Sequence, residues 1–393
     1  MAGRDFLQIP GPTNIPERVL RAMDRTMIDH RGASFRNLLL GLMPRLKALF
    51  GTEPGTPVLF AGTGTAGLEA ALVNTLSPGD RVLVYVIGYF SQVYARMAER
   101  MGLDVQRVEL PWGEGISGDD LESRLRNDKE QRIKAVLAIH NETSTGVKTD
   151  IPAVRGAMDR ARHPALLIVD SISGLGCLDL RFDEWGVDVA IAGSQKGLML
   201  PPGLALLCVS DKALKAGQSA KLPRYYFDWS AMIEQNRKGL FPYTPATSLL
   251  FGLDEGLNLL FEEGLDRVFA RHARLAEGLR RAVRAWNLPL VAKRPELASD
   301  TVSAIRAPDG LDADKVIDLA ASRFHVALGG GLGPLQGRAF RIGHLGALNA
   351  VEVLAIAGAV EMVLGSLKVP IDLGRGVAAA QSWFLSSNGT EPV

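Results

Sequence analysis

Between residues 58 and 209, short apolar runs alternate with helix-patterned stretches, and this alternation limits the fold more than any other feature. The strand patterns fall at 58–60, 81–86, 105–110, 135–139, 165–169, 187–192 and 204–209, most of them near-continuously apolar. Apolar residues at helical spacing fill 65–76, 90–101, 121–127 and 151–162. Strands that are apolar nearly throughout have no polar face to offer water, and strands joined through helices run parallel. The expected fold class is therefore α/β, with a mostly parallel sheet flanked by helices. Ligands of such sheets gather beyond the carboxyl ends of the strands.

The flanking segments divide the chain further. Three prolines and a glycine in residues 7–16 mark an extended N-terminal arm (1–15), and Pro16 suits the first turn of a helix running to about 27. Ser34 is the expected cap of a second helix, with Leu38, Leu39, Leu42, Leu46 and Leu49 at helical spacing. Composition changes after about residue 255. Helical patterns at 257–261, 265–286, 315–323 and 351–364 mix with apolar runs at 301–305 and 340–342. This predicts a large domain over 16–255, a smaller C-terminal α+β domain over 256–385, and a tail over 386–393.

The residues just past the strand ends are the candidate chemistry. Lys196 stands in Gly193-Ser-Gln-Lys-Gly197, directly after the run at 187–192. Burying a lysine charge without a partner is costly, and an amine so placed gives up its proton more easily, as a Schiff-base nucleophile must. From this segment alone, a surface lysine in a glycine-rich turn is the better reading. Asp170 closes the run at 165–169; it would serve either a protonated ring nitrogen or a structural cap or ion pair. Gly62-Thr-Gly-Thr-Ala-Gly67 offers free N–H groups at a helix N-terminus to a phosphate, or is a tight turn with no ligand. It also fits the GxGxxG dinucleotide pattern, but the strand at 82–86 ends in no acid to hold a ribose. Arg341, inside a C-terminal strand, suits bidentate binding of a carboxylate or the exposed face of an edge strand. His344 beside it reads as a satisfied polar residue with a side role at a substrate.

Composition removes several classes of partner. Lys+Arg 44 against Asp+Glu 43 gives a net charge of +1, without the basic bias of a nucleic-acid or membrane-surface binder. Cys177 and Cys208 lie far apart, with no metal-ligand spacing, so no metal site is expected. Unpaired cysteines, no signal-peptide pattern and no spanning apolar run fit a soluble cytoplasmic protein.

Taken with their order, these segments resemble the class V aminotransferases among the fold-type I pyridoxal-phosphate enzymes, in the serine–glyoxylate and alanine–glyoxylate group. The resemblance rests on Pro10-Gly-Pro-Thr-Asn14, Gly62-Thr-Gly-Thr-Ala66, His140-Asn-Glu-Thr-Ser-Thr-Gly-Val147, Val169-Asp-Ser171, Gly193-Ser-Gln-Lys-Gly-Leu198, Pro201-Pro-Gly203, Tyr243-Thr-Pro245 and Arg341-Ile-Gly343. It implies that Lys196 holds pyridoxal 5'-phosphate and that Asp170 keeps the ring nitrogen protonated. Thr63, Gly64, Thr65 and Gln195 would take the phosphate, joined by Tyr243 and Thr244 of a second subunit in a homodimer. Thr143 would approach the ring hydroxyl, and Phe90 would stack on the ring where many relatives carry tryptophan. Arg341 would grip the substrate α-carboxylate.

The reaction implied is ping-pong transfer of an amino group from L-serine or L-aspartate to glyoxylate, giving glycine and hydroxypyruvate or oxaloacetate. Alanine as donor is the alternative. A diacid donor would want a second cation, for which Arg31, Arg36 or His344 are the candidates. A nicotinamide dehydrogenase, a regulatory domain and a cysteine desulfurase are the competing readings, each with less of the sequence behind it.

Overall fold

The computed structural model describes residues 5–387. The chain opens with β1 (Phe6–Gln8), α1 (Glu17–Met23) and α2 (Ala33–Phe50). Then β2 (Thr56–Ala61), α3 (Gly64–Thr75), β3 (Arg81–Val86), α4 (Tyr89–Arg100), β4 (Asp104–Glu109), α5 (Gly118–Asn127) and β5 (Ile133–Ile139) alternate. A short hairpin of β6 (Asn141–Glu142) and β7 (Val147–Lys148) precedes α6 (Ile151–Arg160), β8 (Leu166–Asp170), β9 (Val189–Gly193) and β10 (Leu204–Val209). Helices α7 (Asp211–Gly217), α8 (Trp229–Asn236), α9 (Thr247–Glu263) and α10 (Leu265–Ala285) come next. The C-terminal lobe adds β11 (Val302–Arg306), α11 (Ala313–Phe324), β12 (Val326–Gly330), β13 (Ala339–Gly343), α12 (Ala350–Ser366) and α13 (Arg375–Ser386).

Seven strands form the central sheet in the order β2-β10-β9-β8-β5-β3-β4. All neighbours are parallel except β10, which is antiparallel to both β2 and β9. Side chains alternate across a strand, so each strand feeds two cores. Val136 and Ala138 of β5 pack with Leu42 and Leu46 of α2, Leu121 of α5, Val154 of α6 and Leu257 of α9. Ala135, Leu137 and Ile139 of the same strand pack with Leu72 of α3, Ala95 and Ala98 of α4 and Met232 of α8. Helices therefore cover both faces, as the apolar strands require.

The second sheet has the order β1-β12-β13-β11 and is covered by α10–α13, through Leu279, Val283, Val316, Ile356, Val360 and Phe384. Its edge strand β1 comes from within the expected extended arm (1–15). Phe6 pairs with Val326 and Gln8 with Leu328, in parallel. The large core also runs past 255: Leu250, Leu253, Leu257 and Leu260 of α9 and Val268 of α10 belong to it. Ser34 does not cap α2; Gly32 is the N-cap and Ser34 lies within the first turn. Of the expected tail, Ser386 ends α13 and residues 388–393 lie outside the described residues.

Candidate active site

The carboxyl ends of β2, β5, β8 and β9 open onto one edge of the central sheet, and the turns after them build a cavity of about 130 Å³. Gly64, Thr65, Phe90, Thr143, Asp170, Gln195 and Lys196 line it, together with Asn141, Ile172 and Ser173. A larger hollow of about 640 Å³ on the opposite side takes its lining from Lys134, Lys212 and Lys215 among others, without this convergence of strand ends.

Helix α3 starts at the cavity with Thr63 as N-cap and no side chain bonded to its first turn. Its glycines are there for close packing. A Cβ on Gly67 would stand 2.6 Å from Ile191 Cγ2 of β9, and one on Gly64 would stand 2.6 Å from Ile172 Cγ1. The helix is thereby pressed against the sheet, and its free N–H groups and positive dipole end are available to an anion.

Lys196 follows β9 in a turn held by Ser194, whose hydroxyl donates to Pro201 O (2.7 Å) and accepts from Leu204 N (3.1 Å). Its Nζ donates to Pro10 O at 2.7 Å. Burial lowers this amine to about 8, the positive charge of Arg341 adds to the effect, and Asp170 opposes it. Asp170, the last residue of β8, is 5% exposed and accepts Ile172 N at 2.9 Å. Burial pushes its carboxyl up to about 7; the Ile172 bond and Lys196 oppose, and the nearby Glu142 adds. No cation lies within ion-pair distance of Asp170 among the described residues.

Arg341 reaches the same region from the other lobe. Its Nε donates to Gly330 O (2.7 Å) and its Nη1 to Thr143 O (3.2 Å), while no carboxylate pairs with it among the described residues. Burial lowers its guanidinium to about 10. A buried arginine that has only backbone carbonyls as partners keeps N–H capacity for an incoming carboxylate.

Two residues that the sequence motif at 140–147 contains, but that carry no role in its reading, support the site: Asn141 in the cavity wall and Glu142 behind it. Glu142 is fully buried and accepts from Ser91 N (2.9 Å), Ser144 N (3.1 Å) and Ser144 Oγ (2.6 Å), which fixes the start of α4 and so Phe90. Asn141 donates to Ser173 Oγ and Thr301 Oγ1, both at 2.8 Å, and accepts Ser299 Oγ at 2.6 Å. Their signal was present: two polar residues directly after a strand with no other polar face.

Other expected residues lie elsewhere. His344 is fully buried with both ring nitrogens used, Nε2 with Ser303 Oγ (3.1 Å) and Nδ1 with Asp300 O (3.1 Å), and does not line the cavity. Its imidazole, pushed down to about 3 chiefly by burial, is a neutral structural group. Arg31 and Arg36 are exposed, and Arg36 packs its backbone against Gly239 instead of reaching the cavity of its own chain. Tyr243 stacks on Tyr226 (4.3 Å between centroids) and donates to Tyr226 O at 2.6 Å, and Thr244 is exposed. Neither lines this cavity.

Pyridoxal phosphate fits what is present. The uncapped start of α3 offers N–H donors to a phosphate at the wall it shares with Gln195, whose side-chain amide oxygen is buried and unpartnered; once turned, that amide would present its NH2 to such an anion. Asp170 is a buried carboxyl whose raised value a cationic nitrogen would bring down. No group of three or more His, Cys, Asp and Glu suited to a metal ion occurs among the described residues.

Comparison with known proteins gives the same direction. Residues 6–332 match the family described as aminotransferase class-V. The chain is 52% identical to a serine–glyoxylate aminotransferase of Methylorubrum extorquens, over 97% of this chain and 96% of the relative. It is 50% identical to an L-aspartate–glyoxylate aminotransferase of Paracoccus denitrificans, over 98% and 97% respectively. The crystal structure of a pyridoxamine–pyruvate aminotransferase from Mesorhizobium loti superposes with a TM-score of 0.92 at 28% identity, covering 98% of both chains.

Proposed function

This chain belongs to the class-V aminotransferase family, and from that premise we propose that it moves the amino group of L-serine to glyoxylate, with pyridoxal phosphate as cofactor. The observation that carries this is the meeting of a lysine amine near neutrality, a buried carboxyl without a cation and a buried guanidinium without a carboxylate. When bound, pyridoxal phosphate supplies an electron sink for the carbanion at the substrate α-carbon.

The chain's own residues do the rest. Lys196 would hold the cofactor through Nζ, and Asp170 would hold the ring nitrogen in its cationic form. Thr63, Gly64, Thr65 and Gln195 would take the phosphate, Thr143 the ring hydroxyl and Phe90 the ring face. Tyr243 and Thr244 would serve the site of a second subunit, so the working form is a homodimer; its two cysteines, both free, suit the cytoplasm. Arg341 binds the donor's α-carboxylate and sets the α-carbon against Lys196. Freed from the cofactor, Lys196 Nζ takes the α-proton from the donor as a base; as an acid it returns a proton to the α-carbon of the acceptor.

Serine is the first donor because Lys196 is the one cation lining the cavity, and Arg341, bonded to Thr143 O at its wall, leaves a second carboxylate without a further cation among the lining residues. Aspartate is the second reading, favoured by the relative from Paracoccus denitrificans. Its side-chain carboxylate would draw on Arg31 or Arg36. Steady-state assays of glycine formed from glyoxylate with each donor test this. Serine turnover that is lost in Lys196→Ala supports the proposal. Glycine formation unchanged in Lys196→Ala would end it, and an Arg36→Ala variant that leaves aspartate and serine turnover alike untouched removes the aspartate reading of that residue.

A further inference from the structure

Residues 8–13 run between the two lobes and touch the chemistry of both. Gln8 Nε2 donates to Gly343 O (2.6 Å), at the end of the strand that carries Arg341. Gly343 lies so close to the segment that a Cβ there would run into Ile9 O. Pro10 O accepts Lys196 Nζ at 2.7 Å. Thr13 N donates to Gln195 O (3.1 Å) and Thr13 Oγ1 to Lys196 O (3.2 Å). Between them Gly11, at φ +126°, has the lysine side chain lying where its own Cβ would be: 2.6 Å from Cδ, 2.7 Å from Cε and upon Nζ. One short segment is thus bonded at one end to the strand of Arg341 and at the other to both the backbone and the amine of Lys196.

We propose that residues 8–13 are a positioning strap for amino transfer, in which the Pro10 carbonyl orients the free Lys196 amine and the Gln8 bond fixes its distance from Arg341. This deepens the aminotransferase reading and rests on it. A neutral amine that gives one N–H to Pro10 O keeps its lone pair for the substrate α-proton. Without that acceptor, the end of a four-carbon chain samples many rotamers, few of which place nitrogen at the α-carbon. Gly11 is required because any side chain there would occupy the lysine's own path. Gln8 acts through Arg341, so its effect falls on binding of the donor carboxylate.

The test uses full-length Gly11→Ala, Thr13→Val and Gln8→Leu proteins. Cofactor-free samples are labelled with trace acetic anhydride, and acetylation of Lys196 is compared with that of the other lysines. The loaded enzymes are then assayed with ordinary and α-deuterated donor. Gly11→Ala is expected to label severalfold faster at Lys196 alone, to lose about 100-fold in kcat with KM little changed, and to show a larger isotope effect. Thr13→Val is expected to move kcat in the same direction by less, and Gln8→Leu to raise KM for the donor while kcat holds. A folded Gly11→Ala protein with wild-type labelling and wild-type kcat overturns the strap. Should Gly11→Ala not fold, wild-type kcat in Thr13→Val together with wild-type KM in Gln8→Leu overturns it equally. Failure of the wild-type protein to transfer an amino group would instead strike the aminotransferase reading, and the labelling contrast between wild type and Gly11→Ala would still be measurable.

Discussion

At Asp170 and Lys196, burial moves an acid and a base toward each other, to about 7 and about 8. A carboxyl whose folded value is raised binds more protons when folded than unfolded, so stability falls as pH rises between about 4 and 7. The buried imidazoles of His140, His272 and His344 are lowered and oppose this trend. Comparing wild type with Asp170→Asn cancels them. Cofactor-free wild type should lose melting temperature relative to Asp170→Asn between pH 5 and 7; parallel profiles would contradict the raised value. With cofactor loaded, Asp170→Asn should keep the bound chromophore and lose roughly 100-fold or more in kcat, the scale of a removed preorganised charge. Arg341 helps to lower Lys196, so Arg341→Met should move the acetylation midpoint of Lys196 upward from about 8. Lys196 and Asp170 were legible because residues at or just past the end of a buried strand emerge at the sheet edge, whatever the tertiary packing. Arg341 was legible as a charge set inside an otherwise apolar strand. His344 is the satisfied polar residue that its sequence reading gave first; the partners that use up its ring, Ser303 and Asp300, are neighbours through β11 pairing and not through sequence.

The hairpin β6–β7 is the element that binds the lobes. Val147 bridges Ala298, Ser299 N donates to Gly146 O (2.8 Å), and Lys148 pairs with Asp300 (2.7 Å), which Arg280 also approaches at 3.3 Å. These contacts place β11, and with it Arg341 on the adjacent β13, against Asn141 and Thr143. Asp300→Ala leaves Lys148 without its carboxylate and Arg280 with that of Glu277, and should cost about 1–3 kcal/mol in denaturant unfolding, discounted for the partly exposed lysine. A loss within error would show that the backbone contacts hold the lobes unaided. Helix and strand periodicity found the elements of the central sheet to within a few residues, since most of its strands are buried and apolar nearly throughout and the helices between them repeat their apolar residues at helical spacing. It gave no strand at β1, whose pairing with β12 joins residues over three hundred positions apart. It also missed the short hairpin, α7 and α8, and α13, whose partners are distant and whose lengths give little period to read.

For the whole molecule, the cavity is lined from one chain by residues at the start of α3 and past the ends of β8 and β9, and neither Tyr243 nor Thr244 lines it. A dimer that exchanges these residues should elute at twice the chain mass of 42.3 kDa. A protein active as a monomer would contradict the shared site. Amino transfer from donor to glyoxylate on bound pyridoxal phosphate, with Lys196 holding the cofactor and moving the protons, is tested most directly by a pair of half-reactions on the purified, loaded enzyme. Addition of L-serine alone should bleach the lysine-bound cofactor's visible band, and glyoxylate should then restore it with release of one glycine per site. A band that L-serine, L-aspartate and L-alanine all leave unchanged, or one present in Lys196→Ala as in wild type, would contradict the account.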